Sequence, residues 1–222
     1  GDFTRAYMPH VRVHNLDRDE VSAEAGKPLT ISDDSRFDYA DLSHASLDGA
    51  KIKDSSFDYS DLSGVSLAGA DIQRCKMRHA NLEKAILKNC TMVETDLSGA
   101  ILREADARKA TFKATVLKDV DARSVDLSDA TLGELCDLSG AKLEKAIMRR
   151  VKADRVRFVG ANMEGANLAQ ASLRDAVVEK VNLRFANLDG AIADGIKASR
   201  VDMTGEDLTD IRARGADFSK AQ

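Results

Sequence analysis

Tryptophan is missing from the 222 residues, proline occurs only twice, and the aromatic complement is seven Phe and three Tyr. A globular core of this length ordinarily draws on large aromatics. Their scarcity alongside 43% apolar residues points to a core packed from many small and medium side chains in a repetitive manner. No stretch approaches the roughly 20 consecutive apolar residues of a membrane helix. Lys+Arg 33 against Asp+Glu 37 leaves no cationic surplus of the kind that drives non-specific nucleic-acid binding.

Catalytic constellations are equally scarce. The separations among Cys75, Cys90 and Cys136 fit no zinc pattern, and small buried thiols are the expectation. His10 and His14 form an H-x-x-x-H without a clear third ligand. No glycine cluster resembles a phosphate-cradling loop, and no Ser is joined by a His and an acid at a recognisable spacing. The sequence therefore predicts no enzyme, no cofactor and no metal site.

What is present has a period of five. From Phe37 to Leu132 every fifth residue is apolar; one residue is inserted between Gly133 and Leu135, and the count resumes from Leu138 to Phe218. Two residues before each of these centres stands a second series, mostly Ala, with Val, Cys, Ser and Thr; its one charged member is Glu206. Between the two series Asp or Asn is favoured, as in Ala40-Asp41-Leu42, Ala80-Asn81-Leu82 and Ala186-Asn187-Leu188. Nearly all glycines within the repeat fall two residues after a centre, where a turn with positive φ would place them.

Neither the helical period of 3.6 nor the strand period of 2.0 sustains this phase. A square coil does, with four five-residue sides that each turn the centre and the small residue inward. Stacked as parallel rungs about 4.8 Å apart, the units make about nine coils and a rod of roughly 43 Å.

The A(D/N)LXX pattern, carried from Ser35 to about Ala221, resembles the pentapeptide-repeat family. That resemblance implies an all-β, right-handed quadrilateral parallel β-helix. Family members include topoisomerase-protecting DNA mimics, accessory domains of secreted effectors and many proteins of unknown role, so the likeness specifies function far less than fold.

Residues 1–34 lie outside the pattern and are expected to form an N-terminal cap or linker, with a strand over 7–16 and a short helix over 17–25; residues 35–222 form the repeat domain. Repeats run almost to Gln222 with no amphipathic helix after them, and the chain starts Gly-Asp-Phe without an initiator Met. These features point to a domain cut from a longer bacterial protein, or to an open C-terminal end that meets a partner or a second copy. Glu206 either turns outward near that end or finds a buried partner, because an isolated buried carboxylate is costly.

Residues 20 apart, or 21 across the insertion, lie one above the other. Tyr39, Tyr59 and His79 then form an outward ladder of rings, read either as mutual stacking or as a partner-binding strip. Phe185 is the other candidate anchor. The basic run from Lys142 to Arg157 encircles the rod one rung above an acidic coil, pairing Asp121 with Lys142, Arg123 with Glu144, Asp129 with Arg150 and Glu134 with Arg155. Acidic and basic coils alternate, which argues against direct nucleic-acid binding and weakens DNA mimicry. The leading expectation is a non-enzymatic protein-binding scaffold, cytoplasmic or exported within an effector, with a gyrase-protecting DNA mimic as the alternative.

Overall fold

Each five-residue unit carries five backbone N–H groups, and the fold is decided by where they go. The computed structural model describes residues 28–31, 34–205, 208 and 210–222, with the backbone of 21–22. In the unit 80–84, Ala80 N–H donates to Met77 O across the preceding corner (3.2 Å), Asn81 N–H to Ser60 O in the rung before (2.9 Å), and Leu82 and Lys84 N–H to Ile101 O and Arg103 O in the rung after (2.7 and 2.8 Å). Only Glu83 N–H is left, and the Asn81 side-chain oxygen accepts it at 3.2 Å. The same service is rendered by Asp41 to Ser43, Asp96 to Ser98 and Asn187 to Asp189. Elsewhere an Asp of the rung before reaches up instead, as Asp48 does to Ala68 and Asp154 to Arg174. The Asp/Asn preference of the repeat is thus a backbone-satisfaction device, an Asx turn repeated along the rod.

The result is an all-β parallel solenoid, without a helix among the described residues. Four ladders of parallel bridges start at Thr30, Arg36, Asp41 and Ser46, one for each side of the coil. Partners are 21 apart at the first strand pair (Thr30 with Lys51), 20 apart from there to the insertion, 21 apart across it (Val116 with Asp137, Thr131 with Lys152), and 20 apart again from Asp137 with Arg157. One side forms a sheet of β2 (Thr30–Ile31), β3 (Lys51–Lys53), β4 (Asp71–Gln73), β5 (Thr91–Val93), β6 (Thr111–Lys113) and β7 (Thr131–Leu132), paired in parallel through five successive turns. Centres and small residues both face inward: Leu82, Leu87, Met92, Leu143 and Phe158 are fully buried, as are Ala80, Ala85 and Ala146. Phe37 and Phe57 stack inside the coil at 4.7 Å.

Corners explain the glycines. The residue two after a centre has positive φ, from Tyr39 (60°) through Lys84 (58°) to Lys220 (58°), beside Gly49 (66°); after Leu132 the insertion moves it one residue on, to Leu135 (69°). Most corners carry a side chain there, so conformational freedom alone does not select glycine. At Gly99 a Cβ would lie 2.5 Å from His79 Nδ1 of the rung before, and at Gly205 it would lie 2.8 Å from the Phe185 ring. Glycine at these corners makes room for the ring below it.

One corner differs. Backbone hydrogen bonds close the turns after Phe37, Leu42 and Leu47, but among the described residues none closes the turn from Ile52 to Ser55, Met92 to Thr95 or Phe112 to Thr115. The small inward residues at that corner are Ser35, Ser55, Cys75, Thr95 and Thr115, all buried. Ser55 Oγ donates to Lys53 O at 2.7 Å, Thr95 Oγ1 to Val93 O at 3.2 Å, and Thr115 Oγ1 to Met92 O and Lys113 O at 3.2 Å. After the insertion the backbone bond appears (Cys136 N–H to Gly133 O, 3.2 Å; Ala176 N–H to Leu173 O, 3.1 Å), and the column turns apolar at Val156, Ala176 and Ile196. Val93 O and Lys113 O already accept Arg74 N–H and Glu94 N–H of the rung before, at 2.8 and 2.9 Å, so the hydroxyls add a second bond to these carbonyls and satisfy their own buried O–H. Thr95→Val, which keeps the shape and removes this bond, is expected to cost about 0.5–1.5 kcal/mol in chemical denaturation, whereas Thr95→Ser costs less.

At the N-terminal side β1 (Val21–Ser22) pairs antiparallel with β2, so these two residues are extended where the sequence suggested a short helix. Pairing there satisfies the outer edge of the first strand. The rest of that helix, the strand over 7–16, His10, His14 and Glu206 lie outside the described residues. Leu208 and Phe218, inward by phase, are 44% and 38% exposed, because no coil stacks above them within the described chain.

Candidate functional site

Outward side chains repeat at the rung spacing, which makes the surface a set of columns parallel to the rod axis. Tyr39 and Tyr59 stack with ring centroids 5.2 Å apart and planes within 5°, and Tyr59 and His79 stack at 4.9 Å and 19°. The structure therefore brings these three expected residues together, with the Tyr59 ring stacked between the other two. Tyr39 remains 76% exposed. His44 lies over Gly64 as His79 lies over Gly99, an equivalence that the aromatic ladder did not reveal in the sequence. Phe185 stands apart on the column of His44, 59% exposed, with the Arg184 guanidinium 5.4 Å from its ring centroid.

Charges pair mainly between rungs. Arg150 reaches Asp129 at 2.7 Å and Arg155 reaches Glu134 at 2.5 Å, as the 21-residue offset predicts. The other two expected pairs are replaced. Arg123 and Asp121 bind each other within one rung at 2.7–2.8 Å, and Glu144 accepts from Asn162 at 2.8 Å. Residues two apart on one side both point outward, so the short in-rung contact outcompetes the longer reach to Lys142 and Glu144. Pairs absent from the sequence reading include Asp54 with Arg74 (2.6 Å) and Glu83 with Arg103 (2.6 Å). Exposed pairs of this kind contribute only about 0–1 kcal/mol each.

The strongest pair is half-buried. Asp58, only 7% exposed, accepts from Arg78 N–H at 2.8 Å and from its Nε at 3.0 Å, while Asp58 N–H donates to Asp38 Oδ1 at 3.0 Å. Burial pushes the Asp58 carboxyl up, but the Arg78 hydrogen bonds and the charges of Arg78 and Lys76 outweigh it and hold the group below the usual carboxylate range.

All three thiols are buried and unpaired with one another. Burial pushes Cys75 up to about 11 and Cys90 to about 12, and raises Cys136 as well. Such thiols are inert. Ellman's reagent is expected to leave them unmodified in the native protein and to titrate all three in denaturant; rapid reaction of the native chain would contradict this packing. Among the described residues, no three His, Cys, Asp or Glu are grouped to hold a metal ion.

A family profile described as pentapeptide repeats matches in eight copies, over residues 35–74, 66–103, 135–170 and 166–205. Curated protein sequences give no significant match. Among solved structures, full-length QnrB1, a plasmid-mediated fluoroquinolone resistance protein, is similar at 22% identity with a TM-score of 0.53, covering 78% of this chain and 84% of its own. A pentapeptide repeat protein from the Arabidopsis thaliana thylakoid lumen matches at 27% identity and a TM-score of 0.41, over 48% of this chain and 70% of its own. HetL, a pentapeptide repeat protein involved in heterocyst differentiation regulation in a Nostoc cyanobacterium, matches at 22% identity and a TM-score of 0.27, over 84% and 86%. These likenesses concern the fold. With the profile spanning more than half of its residues and the five-residue coil described from one end of the ladder to the other, the chain belongs to the pentapeptide-repeat family.

Proposed function

We propose that this protein is a non-enzymatic binding scaffold: a rod of about nine right-handed coils, closed at its start by residues 1–34, whose faces or C-terminal end dock another protein. The observation that carries this reading is the division of labour within the unit. Inward positions and backbone groups are consumed by the coil, leaving columns of outward side chains on a stiff lattice, with exposed rings at Tyr39, Tyr59 and Phe185. Affinity capture with the intact protein is expected to retain a stable partner, and the repeated absence of one would count against the reading.

A second reading, a DNA mimic that protects a topoisomerase, is favoured by the fold-level likeness to QnrB1. The banded surface speaks against it, since a mimic needs continuous negative potential along the rod, whereas here acids and Arg side chains pair from rung to rung. A supercoiling assay with DNA gyrase decides: neither inhibition nor fluoroquinolone protection at micromolar protein is expected, and either would establish the mimic.

A further inference from the structure

One corner of the rod carries positive charge in three successive rungs. Lys180, Arg200 and Lys220 all occupy the turn position with positive φ (56°, 57° and 58°), and all are exposed. Their rungs are held in register, since Lys180 N–H donates to Ser199 O at 3.0 Å and Arg200 N–H to Ser219 O at 2.9 Å. At several other corners a cation pairs with an acid one rung away: Arg74 with Asp54 at 2.6 Å, Lys84 with Glu104 at 3.9 Å, Arg150 with Asp129 at 2.7 Å. Here, among the described residues, no carboxylate lies within ion-pair distance of any of the three. Lys197, on the same side of the coil, is likewise exposed and unpaired. Against these four cations the last three rungs of that side offer Glu179 and Asp217, and Asp217 already accepts from Ser219 N–H at 2.9 Å. Asp202, just past the corner, is held by the Thr204 N–H and hydroxyl at 3.1 and 2.8 Å.

Like charges stacked on neighbouring rungs repel, so the column stays uncompensated until an anion meets it. The spacing selects the form of that anion. Three cations at the rung spacing span about 9.6 Å. Acidic residues at i, i+3 and i+7 of an α-helix share one face and span about 10.5 Å. Three acids on one face of an extended strand span about 13.6 Å, which overshoots the column. We infer that Lys180, Arg200 and Lys220 dock an acidic stripe on an α-helix of a partner protein, its axis along the rod and one carboxylate to each cation. This rests on the scaffold reading and names the partner's chemistry within it.

The test is fluorescence anisotropy of the full chain with a labelled Ala/Gln-rich helical peptide whose only charges are Glu at i, i+3 and i+7, at low ionic strength, where exposed charges are least screened. This peptide is expected to bind more tightly than one of the same composition with its Glu on different faces, an extended Thr/Gln-rich peptide with Glu at alternate positions, or inorganic tripolyphosphate. Binding should weaken about threefold in Arg200→Gly, the loss of one exposed pair, and further in Arg200→Glu. Exchanging the peptide's central Glu for Lys should restore binding to Arg200→Glu. Lys84→Gly removes the same charge from a paired corner and should change nothing. Glycine already stands at corners such as Gly195 and Gly215 (φ 67° and 66°), so circular dichroism of both Gly variants should match the parent chain. No binding, equal binding of the scattered peptide, tighter binding of the extended peptide or tripolyphosphate, or no rescue by charge exchange overturns the proposal. A natural partner retained equally by Arg200→Glu would remove this site and leave the scaffold intact; a chain that captures no partner would remove the scaffold as well.

Discussion

Leu143→Ala is expected to lower stability by about 2–5 kcal/mol, and Ala146→Leu, three residues along the same coil, by about 1–3 kcal/mol or more. Both sites are fully buried, and they fail for opposite reasons. Leu143 fills the middle of one side, so truncation leaves a cavity between the rungs above and below. Ala146 sits where the chain turns toward the next side, and a larger side chain there has nowhere to go without pushing Leu143 or Met148 out of place. Because each coil touches only its neighbours, the loss is felt most in the middle of the stack. Truncating Phe218, already 38% exposed, should cost far less. Equilibrium denaturation of the three variants checks the order; equal effects at Leu143 and Phe218 would argue that the coils do not stack as described.

Asp58→Ala is expected to destabilise by about 1.5–3 kcal/mol, the range for hydrogen bonds to charged groups, because it strips Arg78 of its partner and leaves Arg78 N–H unsatisfied. Asp58→Asn keeps an acceptor for that N–H and should recover part of the loss. The same chemistry sets the acid response. Asp106 and Asp121 are held low by the hydrogen bonds of Arg108 and Arg123, and Asp58 is low despite its burial. For a carboxylate depressed in the folded state, the stabilisation is present above its unfolded value, about 3.9, and disappears as pH falls through the folded value. The melting temperature should therefore be nearly flat from neutrality to about pH 5 and fall below about pH 4, less steeply in Asp58→Ala. A decline beginning near pH 6 would assign the response to other groups.

Hydrophobic phase was legible in the sequence because one apolar centre every fifth residue, with a small residue two before it, leaves few geometries that bury both. The same phase located the corners at positions such as Tyr39 and Lys84, and the 20-residue offset foretold the Tyr39–Tyr59–His79 stack and the Arg150–Asp129 pair. It failed where two contacts compete at similar range. Arg123 lies within reach of both Asp121 and Glu144, and only the side-chain paths decide in favour of Asp121.

The linear pattern also recorded Asp and Asn before many centres and Ser or Thr at 35, 55, 95 and 115 without disclosing why. Their reason is a hydrogen-bond account that requires knowing which N–H the coil leaves over and which corner it leaves open. Period and side-chain size by themselves determined that this chain coils, in which phase, and what it buries. Tertiary structure alone decided that one corner stays open until the insertion at Gly133–Leu135, and that Glu144 is left with an oxygen no neighbour answers. Both depend on distances between rungs 20 residues apart, where a few tenths of an ångström separate a satisfied group from an orphan.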